Sequence, residues 1–394
     1  MTTEDRCITH LDIDNFIVAV ECLKNSNFKN KPLIVGGAGE RAIVAVCSQE
    51  AEKCGVHSSM PMRLAKRLCP EAIILRADVE GYSRYSREVT EIVAETVPSF
   101  EKSSIDGFYI DLSGLERFVG CSALLNDLKI KILDATGLSA TFALATNKLI
   151  CRVAANEVKP DGEIQIPAGG ERCFIAPLAV EKLPGLGGRS ARILYQMGVE
   201  KIRTVSLLPL AGLYRLFGDN GVEIWRRANG IDHSPVVPYR EHKSISAERT
   251  FDQDTINVGL LQAALTHMAE DVAFHLRQQN KLAGCVAVKL RYTNFETASE
   301  KRIIPFTSSD SQLAKTAIEL LARLFERRML VRVLSIRFSQ LVPGHRQIDM
   351  FSDPHSFVSI SEAVDSVKRR FGPQYIRSGR SLFVTKAEHI SPRL

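Results

Sequence analysis

At 394 residues the chain is long enough for two or three domains, and 45% hydrophobic against 24% charged residues is a globular balance that excludes a disordered chain. A formal net charge of +6 and a pI near 8.8 permit nucleic-acid binding without requiring it. Nine scattered cysteines, never in a CxxC pair, fit a reduced cytoplasmic protein better than a disulfide framework or a zinc site; no apolar run is long enough to span a membrane, and no signal-type segment follows Met1 to Arg6.

Residues 8–11 read as a short strand leading into Asp12. Asp14 stands where a helix N-cap belongs, with Phe16, Ala19, Val20 and Leu23 following at helical spacing, so it is either that cap or a site residue. Asp12 has no capping role and is the better candidate ligand. Residues 32–35 and 42–46 are two strands around Gly36-Gly37-Ala38-Gly39. No GKS or GKT follows that cluster, so it reads as a hairpin turn before it reads as a phosphate cradle. Helices are expected over 48–54, 61–68 and 79–97. Residues 103–113 read as a strand carrying Asp106 and Asp111, which alternation sends to opposite faces. An unpaired buried carboxylate is costly, and Asp12 is the best partner for Asp106. Two aspartates at neighbouring strand ends are suited to Mg²⁺. A helix over 122–135, a strand over 140–145, a helix over 147–158 and a turn at Pro160-Asp161-Gly162 complete a pattern of helices on a mostly antiparallel sheet.

A short helix over 177–183 is followed by Leu183-Pro184-Gly185-Leu186-Gly187 and a helix over 189–197 stopped by Gly198, a helix-hairpin-helix pattern. Gly185 and Gly187 let backbone N–H groups approach a phosphate, and Arg189 and Arg192 add charge; the plain alternative is a tight turn between helices. Residues 234–243, basic and with two prolines, read as a linker. Beyond it the order is βαββαβ, with strands over 244–251, 285–292, 301–304 and 331–338 and helices over 258–278 and 309–328. Alternation puts Val288, Leu290 and Tyr292 on one face and Lys289 and Arg291 on the other. Lys301 and Arg302 are adjacent, so one of them shares that second face, which is either a phosphate-tracking surface or an ordinary solvated one. Gln347-Ile348-Asp349-Met350-Phe351 offers a Met and a Phe as anchors for a partner's groove. Residues 359–371 form a last amphipathic helix.

In order and spacing, these features resemble a Y-family DNA polymerase, the translesion class of DinB/UmuC type. The landmarks are Leu11-Asp12-Ile13-Asp14-Asn15-Phe16, Ser48-Gln49-Glu50-Ala51 with Gly55-Val56, Ser104-Ile105-Asp106 with Tyr109-Ile110-Asp111-Leu112, Ala145-Thr146-Asn147-Lys148-Leu149, and Leu183 to Gly187. The resemblance implies an α+β right-hand architecture: ferredoxin-like palm (1–25 and 78–166), small fingers (26–77), helix-hairpin-helix thumb (167–233), linker (234–243), βαββαβ little finger (244–342) and a tail from 343 to 394. It implies primer–template DNA as partner, Mg²⁺ on Asp12, the Ile13 carbonyl and Asp106, and a bacterial sliding clamp bound through Gln347, Ile348, Met350 and Phe351.

The resemblance also marks departures. The family carries an adjacent Asp-Glu pair in its second metal motif, and here Gly107 holds the glutamate position. The tyrosine and arginine that grip the triphosphate match Gln49 and Glu52, the ribonucleotide-excluding aromatic matches Ile17, and of the phosphate contacts Lys148 remains. Four departures around one nucleotide imply a non-catalytic DNA- and clamp-binding protein of damage tolerance, similar to ImuB-type accessory proteins that serve another DNA polymerase. The alternatives are an active Mg²⁺-dependent translesion polymerase with an altered site, completed by a carboxylate such as Glu50, and a nucleotide-binding regulatory module.

Overall fold

The computed structural model describes residues 6–37, 41–115, 120–238, 243–325, 329–344, 355–372, 375, 376, 378, 379 and 391–393. The chain divides into two compact units, Met1–Val35 with Ala45–Ser58 and Ala65–Arg240, and Gly36–Val44 with Ser59–Leu64 and Glu241–Leu394.

The elements begin with β1 (Ile8–Ile13), α1 (Phe16–Lys24), β2 (Leu33–Gly36), β3 (Val44–Cys47), α2 (Gln49–Lys53), α3 (Met62–Leu68) and β4 (Ile73–Arg76). Next come α4 (Val79–Thr96), β5 (Phe100–Lys102), β6 (Gly107–Asp111), α5 (Cys121–Thr136), β7 (Ala140–Ala145), α6 (Lys148–Val158) and β8 (Glu163–Gln165). Five short helices follow: α7 (Glu171–Ile175), α8 (Gly188–Gln196), α9 (Ile202–Leu207), α10 (Leu210–Phe217) and α11 (Asp219–Ala228).

Strands β5-β6-β1-β7-β8 form one sheet, antiparallel except for the β7–β8 pair. Period-2 alternation gives it two buried faces. Leu11, Ile13, Phe108, Ile110, Phe142 and Leu144 pack with Tyr82, Val89 and Val93 of α4 and Leu125, Leu128 and Ile132 of α5. On the other face Ile8, Ala143 and Ala145 pack against Ile150, Val153 and Ala154 of α6, in a core that continues into α8, α9, α10 and α11. Each fully buried Leu, Ile, Val or Phe among them contributes about 1.5–3 kcal/mol by leaving water. β3-β2-β4 is a separate three-stranded sheet.

The observed β6 is shorter than the expected strand. Asp106 precedes it, in the turn out of β5, and is half-buried outside the apolar run. The first helix of the expected helix-hairpin-helix is reduced to a 3₁₀ turn over Val180–Lys182, because Pro184 and Gly185 follow too soon for a longer one. Ala38 and Gly39 of the glycine cluster, with Glu40 after them, lie outside the described residues. Arg41, just after them, donates to the Phe251 carbonyl at 3.0 Å and pairs with Asp254.

The second unit is built from β9 (Ser244–Thr255), α12 (Val258–Gln278), β10 (Lys281–Tyr292), β11 (Thr297–Thr307), α13 (Asp310–Leu324), β12 (Val331–Pro343), α14 (His355–Phe371) and β13 (Ser391–Arg393). Its sheet order is β11-β10-β12-β9-β13, antiparallel throughout. Asn257 caps α12 by accepting from the Leu260 amide at 3.2 Å. The described part of the segment beyond 343, expected as a tail, belongs to this unit: α14 is bonded to α12 through Asp365 and β13 pairs with β9.

Arg277 of α12 is the staple. It donates Nε and Nη2 to the two oxygens of Asp365 on α14, at 2.7 and 2.8 Å, and Nη1 to Asp310 Oδ1 at the start of α13, at 2.6 Å. The guanidinium is mostly buried, and its loss would leave two carboxylates facing each other. Arg277→Met is therefore expected to lower stability by about 3 kcal/mol, read from the midpoint of urea unfolding. A variant within about 0.5 kcal/mol of the parent would show that the pair carries no net stability.

Candidate functional site

The site grows from the end of β1. Residues His10 and Asp12 leave the same face of the sheet, as do Tyr109 and Gly107 of β6, their ladder partners. His10 and Tyr109 stack with ring centroids 4.6 Å apart. The His10 imidazole is 4% exposed and its Nδ1–H donates to the Phe108 carbonyl at 3.1 Å. Burial pulls its pKa down to about 4.

Asp12 is half-buried. Its carboxylate pairs with the Lys159 ammonium, and both Asp106 and Asp14 are near enough to raise its proton affinity further. Burial is the main cause of that rise, with Lys159 opposing it. Asp106 stands opposite Ile13, whose amide donates to the Asp106 carbonyl at 3.0 Å, and its Oδ1 accepts from Ser104 Oγ at 2.7 Å. Asp111 is turned away, with Oδ1 accepting from the Ser113 amide at 3.0 Å. Lys102, bonded to Ser86 Oγ at 2.7 Å and Thr90 Oγ1 at 2.8 Å, is pulled down to about 8 by burial.

Asp14 does not cap α1. Asn15, at φ 44°, takes the N-cap position of α1 and makes no side-chain cap bond. The Asp14 carboxylate, 4% exposed, accepts from Thr141 Oγ1 at 2.8 Å and from the Asp161 amide at 2.9 Å. It thereby ties the Pro160-Asp161-Gly162 turn to the end of β1, which places Lys159 over Asp12. Sequence reading missed Lys159; a cation directly before a turn that closes a helix on the same sheet was the available signal.

Lys148 has another occupation. Its ammonium contacts both oxygens of Glu101 at 2.8 Å, lies over the Tyr109 ring at 4.7 Å, and donates to the Pro235 carbonyl at 3.3 Å. Glu101 Oε2 also accepts from the Val237 amide at 2.6 Å, so this pair straps the start of the expected linker to β5. Glu50 lies in the wall of a cavity of about 210 Å³ with Asn15, Cys22, Lys29, Lys31 and Gln49. Among the described residues no bond joins it to Asp12 or Asp106.

In the 183–187 loop Gly185 has φ +83°, and a Cβ there would collide with the guanidinium of Arg227, which donates to the Pro184 carbonyl at 3.0 Å. Gly187 is extended and leads into α8 with no side-chain cap, leaving the first N–H groups of that helix for an anion; Arg189 and Arg192 are exposed on it. In the second unit Lys289 and Arg291 are exposed, and Lys301, the ladder partner of Ala287, shares their face. Arg337 opposes Ala287 from β12 and joins them, a cation sequence reading missed. Arg302, opposite Val286, turns to the helix side and pairs with Glu319 of α13. Gln347, Ile348, Met350 and Phe351 lie outside the described residues.

Residues 11–156 match the impB/mucB/samB family, and residues 242–350 match the C-terminal domain of the same family. Among curated relatives, a protein named DNA polymerase IV from Dehalococcoides mccartyi is 31% identical over 95% of this chain and 97% of its own length. Another of that name from Halorhodospira halophila is 34% identical over 88% of this chain and 98% of its own. This chain belongs to the Y-family of DNA polymerases. A chimeric Y-family DNA polymerase of known structure superposes with a TM-score of 0.73 over 86% of this chain and 99% of its own, at 23% identity. An insertion ternary complex of Dbh DNA polymerase gives 0.64 with the same coverage.

By the Y-family resemblance the β5-β6-β1-β7-β8 sheet corresponds to the expected palm, α2 and α3 with the small sheet to the fingers, α7–α11 to the thumb and the second sheet to the little finger. Ile17 is half-buried against the palm core, and Gln49 and Glu52 are exposed on α2. A Cβ on Gly107 would meet Ser104 Oγ at 2.7 Å, Ser103 Oγ at 2.9 Å and His10 Cε1 at 3.2 Å. The two hydroxyls can rotate away, so a side chain fits there, on the Asp12 face.

The buried His10 makes palm stability pH-dependent. The unfolded imidazole titrates near 6.5 and the folded one near 4, so the folded chain binds fewer protons between those values. Stability is then full above the upper value and falls as pH drops through the window, by about 2 kcal/mol at pH 5. His10→Gln is expected to remove that much of the stability difference between pH 7 and pH 5 in urea unfolding. An undiminished difference would assign the acid sensitivity to other groups.

Proposed function

We propose that this chain is a DNA-damage-tolerance protein that uses the Y-family fold to hold primer–template DNA and to engage the sliding clamp, with little or no nucleotidyl transfer of its own. The observation that carries the reading is the state of Asp12: its carboxylate is paired with Lys159, and Gly107 stands opposite it on the ladder. Asp12 and Asp106, with the Ile13 carbonyl, are the groups that would hold a divalent cation. A two-metal site needs anionic ligands enough to clamp attacking and leaving oxygens, and here one of two carboxylates is already neutralised by an ammonium. Bound Mg²⁺ would supply charge neutralisation for phosphate oxygens. On the fingers, Glu52 presents an anion where the family resemblance calls for a cation. A unit charge about 6 Å from a phosphate at an effective dielectric of about 20 is worth roughly 3 kcal/mol, so the reversal of sign costs more than that before screening.

DNA holding is supported by Gly185, Gly187, Arg189 and Arg192 at the α8 N-terminus and by the cations on the outer little-finger face. Clamp engagement is assigned to Gln347, Ile348, Met350 and Phe351. The setting is the bacterial cytoplasm, and synthesis would fall to a partner polymerase. One observation favours a second reading, an active polymerase with an altered site: Asp106 is close enough to Asp12 to raise its proton affinity, as a second metal ligand would be.

Primer extension on a primed template with Mg²⁺ and then Mn²⁺ separates the two. The expected result is no extension by the natural chain, and partial recovery when Gly107→Glu, Glu52→Arg, Gln49→Tyr and Ile17→Phe are combined. Extension by the natural chain that Asp106→Ala abolishes would sink the non-catalytic reading in favour of a rebuilt active site.

Binding to primer–template DNA is expected to weaken steeply with salt. Replacing Lys289, Arg291 and Lys301 by alanine should flatten the log–log salt slope by about 0.9 for each phosphate that is no longer neutralised. Met350→Ala with Phe351→Ala is expected to end clamp association in a pull-down and leave DNA binding unchanged. Clamp binding that survives would overturn the motif assignment, and salt-independent DNA binding would overturn the cationic track.

A further inference from the structure

The fingers contain a donor cluster that the polymerase reading does not use. Cys54 is the C-cap residue of α2, Cys69 follows α3, and Glu71 lies in the turn that leads into β4. Their Sγ, Sγ and carboxylate oxygen atoms all lie within 4.8 Å of one another, the one such three-donor group among the described residues. Cys54 Sγ is 3.7 Å from Glu71 Oε1, and Cys69 is buried while Glu71 is exposed. The cysteines are fifteen positions apart, so no CxxC spacing advertises them; the fold brings them together.

We propose that Cys54, Cys69 and Glu71 form a site for a thiophilic divalent cation, Zn²⁺ in the first place, with its fourth position open to water on the Glu71 side. The geometry supports this. Tetrahedral bonds of about 2.3 Å to sulfur and about 2.1 Å to a carboxylate oxygen separate neighbouring ligand atoms by roughly 3.5–3.8 Å. The Cys54–Glu71 separation already has that value, and the limit of 4.8 Å on the others leaves a contraction of about 1 Å that side-chain rotation supplies. Two sulfurs and one oxygen favour Zn²⁺ over Mg²⁺ or Ca²⁺. Binding exchanges the two thiol protons for the cation and releases them to solvent. The ion would clip the C-terminal end of α2, the helix carrying Gln49 and Glu52, to the turn between α3 and β4. The site is independent of whether the palm transfers nucleotides, and its failure would leave that reading untouched.

Co²⁺ is the probe. The full chain, reduced and stripped with chelator, is titrated with Co²⁺ by absorption and then back-titrated with Zn²⁺. The expected result is one equivalent with a thiolate-to-cobalt charge-transfer band that Zn²⁺ abolishes. Cys54→Ala and Cys69→Ala should each remove the band, and Glu71→Gln should weaken binding by at least the tenfold or so that loss of an outer-sphere partner costs. Cys54 and Glu71 are partly exposed, so their variants fold even if the one at buried Cys69 does not. No band, a band that persists in Cys54→Ala, or a chain that forms only a Cys54–Cys69 disulfide under peroxide and takes up no metal would overturn the proposal.

Discussion

A buried carboxylate, Asp14, holds the working face of the palm together. Removing a carboxylate from water costs several kcal/mol unless its oxygens are satisfied, and each Asp14 oxygen has one committed donor. The Thr141 hydroxyl that donates to it also takes the Gly162 amide at 3.3 Å, and the Gly162 carbonyl takes the Phe142 amide at 3.2 Å. The turn after α6 is thus locked to β7, and β8 leaves it already aligned for its parallel pairing. Gly162 has no room for a side chain, because a Cβ there would run into the Val158 carbonyl. One carboxylate therefore sets the edge of the sheet and the position of Lys159 together.

The position of Lys159 decides the charge balance of the site. Asp12 resists ionisation because it is buried, and the ammonium offsets that cost locally. A palm that is to hold divalent cations needs surplus negative charge, and this one sets an intrinsic cation against the carboxylate that β1 carries. Gly107 supplies nothing on the same face. The second lysine of the region, Lys148, is committed to Glu101 and so to the chain segment around Val237.

Elements with one strong pattern were legible from the sequence. The strand Ala140–Ala145 and the helix Val258–Gln278 have the expected bounds, the first because it is a pure apolar run, the second because Asn257 and Gly259 mark its start. Val288, Leu290 and Tyr292 alternate with Lys289 and Arg291 as expected, since period 2 admits no other arrangement once one face is buried. Short pieces were not legible: β8 exists because Asp14 holds the preceding turn, and α9–α11 are helices whose apolar faces complete a core built by α6. The role of Asp14 itself was hidden for the same reason. A residue one place before a helix looks like a cap, and only the distant Thr141 and Asp161 show otherwise. Arg302 could be assigned a face only after its register with Val286 was known.

In the second unit β12 runs to Pro343 within the sheet, and α14 is fastened through Asp365 to Arg277. β13 then covers β9, which removes an exposed edge that would otherwise pair with other chains. The buried Arg277 pair thereby fastens α14 to α12 and to the start of α13.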